Sequence, residues 1–376
     1  MLISDGGLAT ELECRGANLA DHLWSARLLR DDPRLVYDAH LRYFLAGADF
    51  ATSASYQATI AGFERAGVDT KEAGMLIRKS VRLAVEARDA AWKQIQADPN
   101  SASRIRPLVA ASVGSYGASL ADGSEYRGDY NVTLVPDPIS DVFLLTRHEV
   151  HVRRFERPHP ASFALRFTLQ QKNDMPCAPL RPSTQEELKI FHRRRLLLLA
   201  DERPDVFACE TVPCLLEVEA LLQLLDEPEV RAKDIPAWIA VSCRDESSLN
   251  SGEPLAALAA LVSTYLDKRP GAISALGINC TPPQHLECAL GCLATHLPPS
   301  LPLIVYANKG EQYDPDQKEW IAGTAASDQE YVEHAKRWVG VEGGGRVKIV
   351  GGCCRTTPST ITALRQHLVS SSEKHL

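Results

Sequence analysis

The sequence predicts an α/β fold: a single (β/α)8 TIM-type barrel with a segment inserted after the third strand. Three observations predict it. Eight short apolar segments rich in strand-forming residues recur along the 376 residues. Patterns of helical period fill most of the gaps between them. Cys, Asp, Glu, Thr and Asn residues stand just past several segment ends, where a barrel places its active-site mouth.

The first strand is Leu2 to Ile3, followed by the turn Asp5-Gly6-Gly7. A helical pattern over Pro33 to Ala46 leads to the second strand, Phe50 to Thr52, and Ala73 to Ala97 leads to the third, Leu108 to Ser112. Thr184 with Glu187 three residues on forms a capping-box pattern that opens a helix to Asp201. Beyond it, strands at Val206 to Cys209, Trp238 to Ser242, Leu276 to Asn279, Leu303 to Tyr306 and Val347 to Val350 alternate with helices at Leu215 to Asp226, Leu255 to Asp267, Pro283 to His296 and Gln329 to Trp338. The last helix begins at Pro358, with Thr357 as its N-cap.

Residues 132–181 break the alternation. They are rich in Pro, Arg and His, lack a clean period, and are longer than the loops compact domains usually carry, so they read as an irregular insertion, with a functional lid as the other reading. Its apolar pieces, Val142 to Leu145 and Phe163 to Phe167, are expected to pack against the barrel. The barrel domain then covers 1–368, and 369–376 form a C-terminal tail.

A net charge of -7 and a pI near 5.9 exclude a general nucleic-acid or anionic-membrane binder, because such surfaces need surplus Lys and Arg. No run approaches the ~18 apolar residues of a membrane span. Ten cysteines without a basic-then-apolar leader at Met1 point to a reducing, cytoplasmic setting. The expected partner is a small molecule.

Two cysteine groups carry the chemistry. Cys280 follows the strand at Leu276 to Asn279, and Cys353-Cys354 follow the strand at Val347 to Val350. Three thiols at two strand ends can close on one zinc ion and leave a fourth position open. Buried space-filling cysteines and a vicinal disulfide are the other readings of the same residues. His285, Cys288, Cys292 and His296 form a second ligand-rich stripe, but the helical rise puts its ends ~16 Å apart, so it reads as the core-facing stripe of a helix. Arg193-Arg194-Arg195 reads as a solvated face. Gly343-Gly344-Gly345 precedes a strand, which is the wrong context for a nucleotide loop.

Several stretches together resemble the zinc-dependent homocysteine S-methyltransferase family: Asp5-Gly6-Gly7-Leu8-Ala9-Thr10-Glu11-Leu12, Thr52-Ser53-Ala54-Ser55-Tyr56-Gln57-Ala58, Gly114-Ser115-Tyr116-Gly117, Phe191-His192-Arg193-Arg194-Arg195-Leu196, Glu210-Thr211-Val212-Pro213, Gly277-Ile278-Asn279-Cys280, Tyr306-Ala307-Asn308-Lys309-Gly310 and Gly351-Gly352-Cys353-Cys354-Arg355-Thr356-Thr357-Pro358. The wording Cys353-Cys354-Arg355-Thr356-Thr357-Pro358 and Leu120-Ala121-Asp122-Gly123-Ser124-Glu125-Tyr126 looks like the branch that uses S-methylmethionine or S-adenosylmethionine. The resemblance implies Zn2+ held by Cys280, Cys353 and Cys354, with Glu210 as a further catalytic-site residue facing the α-ammonium group of homocysteine. Asp5, Gly6 and Gly7 would contact the same amino acid, with Thr52 and Asn308 as polar contacts at the mouth. A sulfonium methyl donor would be the second substrate, with Tyr56 or Tyr116 as its aromatic wall. A betaine-dependent enzyme and a catalytically silent zinc-binding barrel obstructed by the insertion are the alternatives.

Overall fold

The computed structural model describes residues 1–99, 104–128, 130, 133–134, 144–145, 184–310, 313–314, 319–320, 325–341 and 345–369. Most of the insertion expected at 132–181 lies outside them, including Phe163 to Phe167, as do Gly343, Gly344 and tail residues 370–376. Two units are distinguished, one formed by Met1–Gly128 with Gln185–Leu376 and the other by Asp129–Thr184. In the second unit, Thr133–Leu134 and Leu144–Leu145 pair antiparallel.

The first unit is built from strands too apolar to face water on either side. We number them β1 (Leu2–Ile3), β2 (Phe50–Thr52), β3 (Leu108–Gly114), β4 (Val206–Val212), β5 (Ala237–Val241), β6 (Ala275–Asn279), β7 (Leu303–Ala307) and β8 (Val347–Gly352). Every residue of β4 to β7 is buried, as strands covered on both faces require. All pairings in this 8-stranded sheet are parallel, in the order β1-β8-β7-β6-β5-β4-β3-β2. Aspartates at the two end strands bridge the remaining seam. Ile3 N–H donates to Asp49 Oδ2 (2.9 Å), and Thr52 N–H donates to Asp5 Oδ2 (2.8 Å).

Helices α1 (Pro33–Ala46), α2 (Thr70–Ala97), α3 (Gln185–Ala200), α4 (Leu215–Asp226), α5 (Leu255–Lys268), α6 (Leu286–His296), α7 (Asp328–Gly340) and α8 (Pro358–Leu368) complete the (β/α)8 barrel. α2 starts three residues before the expected Ala73, because the Asp69 carboxylate caps it by accepting from Lys71 and Glu72 N–H. A small inner core of Phe50, Ala110, Val206, Ala208, Trp238, Ala240, Ile304 and Tyr306 draws on alternate residues of the strands, as a filled barrel interior does. Gly277 is needed within β6 because a Cβ there would stand 2.1 Å from Ile304 O. The larger core lies between sheet and helices.

Two sequence expectations fail here. The stripe of His285, Cys288, Cys292 and His296 is not the core-facing one: Leu286, Ala289, Leu290 and Leu293 hold the buried face of α6, Cys292 packs half-buried at its edge, and Cys288 and His296 are exposed. Nor is Arg195 solvated. It is 3 % exposed, and its guanidinium donates to the carbonyls of Gly114 and Tyr56 and faces His192 Nδ1 at 3.0 Å. Its helix neighbour Arg193 makes a two-point pair with the Glu227 carboxylate at 2.8 Å each. Strand-end carbonyls that would otherwise lack donors draw one arginine of the run inward.

Candidate active site and metal centre

β6, β7 and β8 are consecutive neighbours, so residues ending β6 and β8 flank the end of β7. Cys280, the first residue past β6, adopts a left-handed backbone (φ 49) and donates its N–H to Tyr306 O at 3.1 Å. On the other flank, Cys353 N–H donates to Ala307 O (2.7 Å) and Lys309 N–H to Cys354 O (3.0 Å). The Thr356 hydroxyl then closes the turn on Cys353 O at 2.7 Å. Gly7 makes room for this loop, since a Cβ on it would lie 2.6 Å from Cys353 O.

The consequence is a triangle of sulfurs. Cys280 Sγ lies 3.6 Å from Cys354 Sγ, which lies 4.0 Å from Cys353 Sγ, and all three sit within 4.8 Å of one another. A covalent S–S bond would need about 2.05 Å, so the vicinal pair consists of free thiols. Three thiolates about 2.3 Å from a tetrahedral ion stand roughly 3.8 Å apart, and the triangle fits that spacing. Among the described residues this is the one group of three or more such ligands. Hydrogen bonds from Cys280 and then Cys353 hold the Cys354 thiol well below its usual range, whereas those with Cys280 and Cys354 push Cys353 up.

Carboxylates surround the thiols. Glu210 lies within β4 rather than past it, 7 % exposed, and accepts from the Ser112 hydroxyl. Burial raises its pKa to about 7 against the opposing hydrogen bonds of Ser112 and Tyr306. Directly after it, Thr211 takes a left-handed backbone (φ 60) and the pairing register shifts. Asn279 clamps that kink: its Oδ1 accepts from Thr211 N–H and its Nδ2 donates to Thr211 Oγ1, both at 2.8 Å. The asparagine beside Cys280 thus fixes the strand that carries Glu210.

The remaining expected residues cluster at the seam. The Asp5 carboxylate accepts from both the N–H and the hydroxyl of Thr52, and burial, followed by the Glu210 charge among the raising influences, lifts it to about 8. Gly7 N–H donates to Thr356 O and Oγ1. Asn308 is 8 % exposed, and its Oδ1 accepts from Gly310 N–H, which closes the turn beside the thiols. Of the two tyrosines, Tyr56 feels the charges of Glu125, Cys280 and Glu210. Tyr116 is buried against Phe191, ring centroids 4.9 Å apart.

Sequence reasoning missed Asn279, Ser112 and Tyr306 as participants, and read Glu125 and Tyr126 only as part of a family phrase. Ser112 and Tyr306 point inward by strand alternation from Ala110 and Ile304, a signal the sequence did carry.

The homocysteine S-methyltransferase family model matches residues 2–148 and 165–368, leaving 149–164 between its two blocks. The chain is 39 % identical to a selenocysteine Se-methyltransferase of Brassica oleracea over 98 % of its own length and 89 % of that protein. It is 38 % identical to homocysteine S-methyltransferase 2 of Arabidopsis thaliana over 98 % of its length and 93 % of the relative. The crystal structure of the homocysteine methyltransferase MmuM from Escherichia coli, in its metallated form, superposes with a TM-score of 0.68 at 36 % identity, covering 97 % of this chain and 96 % of the other. A match of this extent shows that the chain is a methyltransferase and belongs to the homocysteine S-methyltransferase family.

Proposed function

We propose that this enzyme transfers a methyl group from a sulfonium donor, S-methylmethionine or S-adenosylmethionine, to the thiolate of L-homocysteine, forming methionine, with Zn2+ held by Cys280, Cys353 and Cys354. The observation that carries this reading is the sulfur triangle, which offers three ligands and a fourth position. Bound there, zinc would hold the homocysteine sulfur as its thiolate at neutral pH. The protein's own side chains do the rest. Glu210, kept in place by Ser112 and Asn279's clamp, offers a buried carboxylate for the α-ammonium group. The Asp5-Gly6-Gly7 turn, Thr52 and Asn308 border the same mouth and are assigned to the amino acid. In the reaction the homocysteine sulfur forms a bond to the methyl carbon while the S–CH3 bond of the donor breaks, its electron pair staying on the departing thioether. Holding nucleophile and methyl in line is the barrel's chief contribution.

We assign the barrel to 1–368, with 132–181 as the insertion and 369–376 as a tail. No described helix is long and apolar enough to cross a membrane. We assign the enzyme to the cytoplasm, with homocysteine and a sulfonium methyl donor as its small-molecule partners and no nucleic acid. The test is methionine formation by zinc-loaded protein given homocysteine with S-methylmethionine, S-adenosylmethionine or betaine in parallel, and selenocysteine as a second acceptor in view of the Brassica relative. Turnover with a sulfonium donor is the expected result. Turnover with betaine alone would reassign the donor, and silence with all three would point to an obstructed barrel.

A further inference from the structure

One carboxylate beside the thiols has no role in the account so far. Glu125 follows β3 in a short 3-10 turn, Ser124–Tyr126, that is anchored at several points. Asp122 Oδ1 accepts from Ser124 N–H at 2.9 Å, and Asn250 Nδ2 donates both to Glu125 O (3.0 Å) and to Ser242 Oγ (2.8 Å). Gly123, with φ 78, lets the chain turn there. The turn is held firmly, yet one oxygen of the Glu125 side chain it presents is unsatisfied: the residue is 8 % exposed and its Oε2 is buried without a hydrogen-bond partner among the described residues. A buried carboxylate oxygen left without a donor is costly, and a cationic ligand would relieve that cost.

The next residue stands beside the thiols. Tyr126 points its hydroxyl at Cys280 Sγ, 4.0 Å away, while its ring is left largely open, the whole residue being 47 % exposed. Few large apolar side chains of the described chain are so exposed, and this one stands over the sulfur triangle. Glu125 also lies close enough to Cys354 and Tyr56 for their charges to act on one another. A carboxylate with one unpartnered oxygen and an open aromatic face side by side are the two surfaces that attract an organic cation.

We propose that Glu125 and Tyr126 form the binding subsite for the positively charged sulfonium group of the methyl donor, distinct from Glu210, which takes the ammonium group of homocysteine. This rests on the methyl-transfer reading above and deepens it. The chemistry gives the subsite a direction. The donor arrives with a positive charge, and once its methyl has left with the S–CH3 bond broken and the electron pair retained, the departing thioether is neutral. Attraction to Glu125 and Tyr126 therefore favours donor over product and helps the product leave. Because the cation is held in the ground state, loss of Glu125 should raise the donor's KM without lowering kcat.

The test uses full-length, metal-loaded protein and two readouts. Calorimetric titration compares S-methylmethionine with methionine, which lacks only the sulfonium charge and its methyl, in wild type, Glu125→Gln and Tyr126→Leu. Steady-state kinetics give separate KM values for donor and homocysteine. Wild type should prefer the sulfonium by about 10- to 100-fold, the range of a charge-assisted contact. Glu125→Gln should reduce that preference to within about threefold, with kcat and the homocysteine KM kept, and Tyr126→Leu should remove a smaller part. An unchanged homocysteine KM also shows that the variants fold. A preference that survives Glu125→Gln, or a rise in the homocysteine KM in place of the donor's, would overturn the proposal. Sulfonium-selective binding by wild type without methyl transfer would instead sink the reaction assigned above and leave the subsite standing.

Discussion

Two parts of this chain offer cysteine and histidine at ligand-like spacings, and only one brings them together. The stripe of His285, Cys288, Cys292 and His296 runs along the helix layer of the barrel, where Cys292 Sγ and His296 Nδ1 meet at 3.9 Å but no third ligand joins them among the described residues. The strand-end cysteines, 73 residues apart from Cys280 to Cys353 by their numbering, converge to a triangle within 4.8 Å. A helix separates successive turns by ~5.4 Å and turns its ligands outward with the face they occupy. Parallel strands deliver their ends to one rim, and short backbone hydrogen bonds then fix the loops that follow. Convergence comes from the sheet, while local sequence spacing by itself gives only the appearance of a site.

The sharpest contrast is chemical. Cys353→Ser or Cys354→Ser should remove bound metal and lower turnover by at least about 10^3-fold, whereas Cys288→Ser and Cys292→Ser should keep both, as read by metal content per chain and methionine formation. Equal metal loss from the helix variants would break the comparison.

Next in size are the groups that orient the rim. Glu210→Gln should raise the homocysteine KM by about 10- to 100-fold with metal content unchanged. Burial raises the Glu210 pKa to about 7, so its negative charge is present above that pH and is lost as the pH falls through it. In wild type kcat/KM for homocysteine should accordingly decline about tenfold per unit below pH 7, and that limb should be absent in Glu210→Gln. Asn279→Ala removes both hydrogen bonds that hold the left-handed Thr211, and should cost about 1–3 kcal/mol in thermal or denaturant unfolding along with a weaker homocysteine KM. The smallest effect belongs to the exposed stripe, where Cys288→Ser should change stability by no more than about 0.5 kcal/mol.

The same contrast explains what could be read in the sequence. Strand positions were legible because apolar runs such as Trp238 to Ser242 must be buried on both faces, and the thiol triad was legible because its cysteines follow two such runs. Strand ends were less so: β3, β4 and β8 each continue two or three residues further, to Gly114, Val212 and Gly352, because pairing with neighbouring strands decides where a strand stops. Arg195 looked like one of three solvated arginines, and its burial follows from carbonyls of Gly114 and Tyr56 that are remote in sequence. Glu125 and Tyr126 stand in a turn without period, so nothing local announces that one buries an unpartnered oxygen and the other overlooks Cys280. Residues that serve the site through long-range partners were the ones hidden.

The most direct measurement is zinc-edge X-ray absorption on the purified, zinc-loaded enzyme with and without homocysteine. Three sulfur neighbours at about 2.3 Å are expected in the free enzyme and four once homocysteine is added, with the sulfur count falling in Cys353→Ser. A shell of nitrogen and oxygen alone, or one that homocysteine leaves unchanged, would contradict the assignment of the Cys280, Cys353 and Cys354 triangle as the site that activates the acceptor thiol.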